Sequence, residues 1–115
     1  MTPTEQDRLV VIIGTGEPGK AEAGLMYATN ALKHGWMQDV RLFFFGPAEK
    51  LLLEDPDLQE LVREFQRQER TPVACKFIAD REGTDGGLAD LGVAVEYVGQ
   101  PISDLIKDGY VPLVW

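Results

Sequence analysis

A chain of 115 residues with 44% apolar and 26% charged side chains reads as one globular domain, spanning 1–115, with no room for a second core. Its 11 basic and 19 acidic residues leave a net charge of −8 and no basic cluster, which argues against nucleic acid and anionic membrane surfaces as partners. A single cysteine excludes an intrachain disulfide and fits a reducing compartment, so a cytoplasmic location is expected.

The start, Met1 to Asp7, is polar and acidic and lacks the basic and apolar stretches of a secretory signal. No apolar run approaches the ~18 residues of a membrane span. Leu9 to Ile13 is a continuous β-branched run, as in a strand buried on both faces. After the turn-rich Gly14 to Gly19, the residues Ala21, Gly24, Leu25, Ala28, Ala31 and Leu32 recur at helical spacing from Lys20 to His34. Gly35 supplies the stop. The small size of this stripe lets the helix lie close to a sheet.

Val40 to Phe45 is a second buried strand ended by Gly46-Pro47. Pro47 suits the first helical position, and Glu49 favours the positive end of the helix dipole. Leu51, Leu52 and Leu53 continue that turn until Asp55-Pro56 breaks it. Asp57 and Glu60 have the spacing of a capping box, and Leu58, Leu61, Val62 and Phe65 form the apolar stripe of a helix reaching about Arg70.

Val73 to Ala79 reads as the third strand, followed by a charged, glycine-rich loop from Asp80 to Gly87. A short helix through Leu88 and Leu91 stops at Gly92. Val93 to Val98 is the fourth strand, Pro101 to Lys107 a helix, and Tyr110 to Trp115 a fifth strand, where Pro112 points to an edge. Strand and helix alternating five times predict a three-layer α/β/α fold with a mainly parallel, flavodoxin-like sheet. Ligands of such sheets bind beyond the carboxyl ends of the strands, which directs attention to the loops after Ile13, Phe45, Ala79 and Val98.

The stretch Gly14-Thr15-Gly16-Glu17-Pro18-Gly19-Lys20-Ala21 has the glycine spacing of a dinucleotide fingerprint and misses the phosphate-loop pattern by one residue. Ala21 stands where a hydroxyl would hold magnesium. Glu17 opposes an anion, Pro18 removes a backbone donor, and the next strand ends without the acidic residue that a ribose needs. Gly14, Thr15, Gly16, Gly19 and Lys20 are therefore a weak ligand-binding candidate, and a strand-to-helix turn is the simpler reading.

Cys75 is the only sulfur nucleophile. Free cysteines commonly serve as small buried hydrophobes. Cys75, however, lies toward the ligand-bearing end of its strand, and Lys76 beside it offers a cation that would stabilise a thiolate. Alternation along a strand would point Lys76 to the opposite face. His34 fits the last turn of the first helix as a cap, and no second ligand near it draws a metal site. Glu96 is a carboxylate among apolar residues, which reads most simply as an exposed strand end.

Taken together, Val10-Val11-Ile12-Ile13-Gly14-Thr15-Gly16, Ala23-Gly24-Leu25-Met26-Tyr27-Ala28, Leu42-Phe43-Phe44-Phe45-Gly46-Pro47, Val73-Ala74-Cys75-Lys76 and Gly92-Val93-Ala94-Val95-Glu96-Tyr97-Val98-Gly99 resemble the DsrE/DsrF-like family of small α/β proteins. The resemblance implies a cysteine after the third strand that takes sulfur as a persulfide and passes it to a partner, with Cys75 at the matching position. It implies no metal or organic cofactor, another sulfur-carrier protein as partner, and a homo-oligomer, a trimer or a hexamer. The apolar end Tyr110 to Trp115 also favours self-association, unless it completes the monomer's own sheet with Trp115 packed under a helix. Two other readings stay open: a non-catalytic small-ligand or protein-binding module, and a structural assembly subunit.

Overall fold

The computed structural model describes residues 7–115, so the polar start Met1 to Gln6 lies outside it. The strands are β1 (Arg8–Ile13), β2 (Asp39–Phe44), β3 (Val73–Cys75), β4 (Ala94–Glu96) and β5 (Val111–Val114). The helices are α1 (Pro18–Lys33), α2 (Pro47–Glu54), α3 (Pro56–Gln66), α4 (Lys76–Glu82), α5 (Asp85–Asp90) and α6 (Gly99–Lys107). Every pairing is parallel, in the order β4-β3-β2-β1-β5. This is the expected three-layer α/β/α fold.

That order explains how unequally the two sheet faces are covered. From β1 to β4 each crossover steps in the same direction, and right-handed crossovers then place every helix on one face. The return from β4 to β5 runs the opposite way and puts α6 alone on the other face. The first face carries the large core, in which Leu25, Leu52, Leu58, Val62, Phe65 and Leu88 meet the sheet. In α3 the buried Leu58, Val62 and Phe65 fall on one stripe, each contributing roughly 1.5–3 kcal/mol by burial. The second core is smaller: Val10, Phe43, Cys75, Ile78, Val98 and Tyr110, with Ile102 and Leu105 of α6 against it. No side chain of α6 is fully buried.

Local signals placed most boundaries. Helix α1 ends at Lys33 with His34 as its C-cap, and Gly35 follows at φ +67°, a conformation costly for other residues. Pro112 sits in β5, an edge strand. Four expectations change. The cap of α3 is Asp55, whose carboxylate accepts from Asp57 N–H at 2.9 Å and Leu58 N–H at 3.2 Å. Pro56 then fills the first helical position, so the helix begins ahead of the Asp57 spacing and ends at Gln66.

Strand β3 stops at Cys75 rather than Ala79. Residues 76–82 are helical, because Ile78 and Ala79 bury one flank of a turn rather than alternating across a sheet. The segment 80–87 is consequently not an open loop: α4 and α5 occupy most of it. Strand β4 is likewise shorter than Val93 to Val98.

Trp115 packs as the monomer's own lid. Its ring contacts Gly24 of α1 and lies 6.1 Å from the ring of Tyr27. The fifth strand pairs with β1, Leu9 opposite Val111 and Ile12 opposite Val114. The terminal segment therefore completes the sheet, although Val111 and Val114 keep exposed side chains.

Candidate functional site

The carboxyl edge of the sheet divides into two regions. Between β1 and β5, where the strand order reverses, a doubly wound sheet opens its usual ligand crevice. Here the chain fills it. The carbonyl oxygen of Trp115 accepts from Gly14 N–H at 2.7 Å and Thr15 N–H at 3.2 Å. Glu17 N–H donates to Thr15 Oγ1 at 3.0 Å, and Pro18 has none to give. A phosphate cradle needs these donors free. The glycines serve packing instead: a Cβ at Gly14 would stand 3.0 Å from the Phe45 oxygen, and one at Gly16 3.1 Å from Pro47 Cβ. Gly19 has open space around it, and Lys20 is an exposed side chain in the first turn of α1.

The second region lies beyond β2 and β3. Strand β2 runs out through Phe45 into Gly46, which at φ +91° turns the chain into α2. Gly46 is the N-cap and Glu49 the third residue of the helix. The Glu49 side chain folds back so that Oε2 accepts from Gly46 N–H at 3.3 Å. It is completely buried, and Oε1 makes no hydrogen bond. Burial pushes its pKa up to about 7, opposed by the backbone N–H groups of Gly46 and Cys75. The sequence showed Glu49 only as an acid in the first turn of a helix, favoured there by the helix dipole. Its burial depends on α4 and α5 closing over α2.

Cys75 is where β3 becomes α4, acting as the N-cap at φ −68° and ψ 119°. It is 5% exposed and packs with Val10, Phe43, Ile78 and Val98 on the α6 side of the sheet. Its register partner across the parallel pair is Glu96, an exposed residue, as its position at a strand end implied. Three aromatic side chains surround this edge in solvent: Phe45 after β2, Phe77 in the first turn of α4, and Tyr97 after β4.

Lys76, the cation next to the thiol in sequence, is paired within its own helix. As the first residue of a helix it reaches along α4 to Asp80, with Nζ 3.0 Å from Oδ2, and that pair raises its pKa. His34 stacks on Trp36 with centroids 5.3 Å apart, at the helix end where a cap was expected. Among the described residues no three His, Cys, Asp or Glu side chains gather as metal ligands, and no helix is long and apolar enough to cross a membrane.

At the opposite edge, Asp39 gathers the sheet's strongest polar cluster. Burial alone would raise its pKa. Hydrogen bonds from Tyr110 Oη (2.5 Å), Arg41 Nε (2.8 Å) and Arg70 Nε (2.8 Å) outweigh that and bring it to about 2. Arg8 lies over the Tyr110 ring at 4.5 Å. A groove of about 450 Å³ opens between this cluster and α6. Phe43, Val73, Pro101 and Leu105 line it, with Arg41 and Glu96 at its polar margin.

No family profile matches the chain, and neither does any curated protein. The fold recurs among solved structures. A conserved protein of unknown function from Bacteroides thetaiotaomicron, BT1422, is 24% identical with a TM-score of 0.81 over 99% of this chain and 100% of that one. The YchN protein of E. coli is 19% identical with a TM-score of 0.71 over 94% and 99%. Both likenesses concern the fold.

Proposed function

We propose that this chain is a persulfide carrier, or sulfurtransferase subunit, of the DsrE/DsrF-like kind, with Cys75 as the sulfur acceptor. The observation that carries the reading is the position of Cys75, the lone thiol, at the strand-to-helix junction on the carboxyl edge of a parallel sheet. In the reaction the Cys75 thiolate attacks the outer sulfur of a donor persulfide. One S–S bond forms at Sγ, the donor's S–S bond breaks, and the donor leaves as a thiolate that takes up the proton. No oxidant and no cofactor enter. At 5% exposure the thiol loads only when the junction opens.

The exposed Phe45, Phe77 and Tyr97 support a protein donor or acceptor docking at this edge. Self-association into a trimer or hexamer belongs to the same reading. It draws support from Ile106, Val111 and Val114, apolar side chains left open on α6 and β5. Sedimentation at micromolar concentration decides that part, and a monomer of 12.8 kDa opposes it. For the carrier itself, intact mass after incubation with a persulfide donor should show a reducible gain of one sulfur atom. Cys75→Ser should abolish the gain and keep the fold. Absence of loading in the wild type refutes the carrier.

The groove beneath α6 favours a second reading, a small-ligand module. Its volume and its apolar Phe43, Val73, Pro101 and Leu105, set beside the charged Arg41, Glu96, Asp104 and Asp108, fit ligand sites in general. A thermal-shift screen of small amphiphiles separates the two: stabilisation lost in Phe43→Ala, without sulfur loading, supports the module.

A further inference from the structure

The groove beneath α6 exists because one helix cannot cover the second face of a five-stranded sheet. A helix is about 10–12 Å across, whereas five strands about 4.8 Å apart span roughly 19 Å. Helix α6 lies against β1, so its flank toward β3 and β4 stays open. Phe43 and Val73, register partners of β2 and β3, form the floor, and Pro101 and Leu105 of α6 form the wall. Arg41 lies before Phe43 on the same strand, and Glu96 pairs with Cys75, beyond Val73. The lining thus crosses three strands diagonally, about 16 Å between the Cα atoms of those two ends. Its volume of about 450 Å³ takes a small molecule.

The charges around this floor differ in whether the protein itself answers them. Arg41 gives its Nε to Asp39 at 2.8 Å, and Arg8 pairs with Asp108 at 3.2 Å. Glu96 and Asp104 take part in no ion pair among the described residues, and Asp104 accepts from the neutral amide of Gln100 at 2.7 Å. One belongs to the sheet and the other to the helix, and both are exposed. A net charge of −8 adds a field of the same sign.

We propose that the groove binds a protonated alkylamine, its chain on Phe43 and Val73 against Pro101 and Leu105, its ammonium group toward Glu96 and Asp104. This rests on the small-ligand reading of the groove and names the class of ligand. Val73 and Leu105 are half-buried, and an alkyl chain laid over them removes their remaining apolar surface from water. An ammonium group has three donors, enough to answer both carboxylates. An anion meets two like charges there, and a neutral head group leaves both unanswered. Exposed pairs are individually weak, so charge sets the preference and the apolar floor sets most of the affinity.

The test is titration of the full-length chain with hexylammonium, 1-hexanol and hexanoate, followed through the backbone amide NMR shifts of Val73, Glu96 and Leu105. Hexylammonium should bind about tenfold more tightly than hexanol at low salt, and hexanoate more weakly than either. The preference should shrink as salt screens the exposed carboxylates. Glu96→Gln combined with Asp104→Asn should bring hexylammonium to the affinity of hexanol and leave hexanol unchanged. Equal binding of hexanol and hexylammonium by the wild type overturns the ammonium ligand and leaves the small-ligand reading standing. Shifts scattered over the acidic surface, with Val73 and Leu105 unmoved, also overturn it, because they report counter-ion attraction alone. If none of the three probes binds, the groove is no ligand site and both ideas fall together.

Discussion

A Cβ built at Gly24 would stand 2.6 Å from the indole ring of Trp115 and 2.7 Å from Ile13 Cδ1. Helix α1 thus approaches the sheet closely enough that the last side chain of the chain lies in the space a methyl group would need. Gly24→Ala should gain up to about 1 kcal/mol of helix propensity and lose more to overpacking. A net destabilisation of about 1–2 kcal/mol is expected in urea unfolding. Trp115→Ala opens the space, so the double variant should be less destabilised than the two single effects added together. Strict additivity would show that the ring moves aside freely.

Asp39 predicts the response to acid. Its folded pKa is about 2 against an ordinary 3.8, so the folded state favours the carboxylate. Its contribution is complete above about pH 4 and disappears as the pH falls toward 2. Tyr110→Phe removes the hydroxyl that donates at 2.5 Å and should cost about 1.5–3 kcal/mol at pH 7. The difference between variant and wild type should shrink on acidification below pH 4. Stability curves at several pH values check this, and a constant difference would refute it.

Glu49 acts with the opposite sign. Its folded pKa of about 7 lies above the ordinary 4.5, so between those values the folded state binds more protons than the unfolded one. Stability should fall as the pH rises from about 4.5 to about 7 and level off above that. The full displacement corresponds to about 3 kcal/mol. Glu49→Gln should flatten this stretch of the curve and leave the protein more stable than wild type at pH 8. Chemical denaturation between pH 4.5 and 8 reads the slope directly.

The glycine loop should bind no nucleotide more tightly than about millimolar, because Gly14 and Thr15 already donate to the Trp115 carbonyl. Calorimetric titration with ATP and with NAD tests this. Micromolar affinity for either would mean that Trp115 leaves its place, and would move the functional site to Gly14, Gly16, Gly19 and Lys20.

What the sequence determined alone follows from local physics. The β-branched run at Leu9 to Ile13 and the largely apolar run at Val40 to Phe44 extend because such side chains fit a sheet covered on both sides, and the glycine stops after α1, α5 and α6 lie where local sterics require them. The alternation of strand and helix was enough for a parallel three-layer fold, and the position of Cys75 near a strand end was legible within a few residues. Tertiary structure decided the remainder. Residues 76–79 carry β-compatible side chains, and only the available partners, with Ile78 and Ala79 buried on one flank, make them a helix. The strand order, set by long-range pairing, put α6 alone on the Cys75 side and brought Trp115 onto Gly14. The burial of Glu49 is invisible in the sequence because an acid at the third position of a helix has the same local reason to be there in water as in a core. Neighbours separated by tens of residues close over it, and they turn a helix cap into a buried carboxyl group whose pKa burial raises.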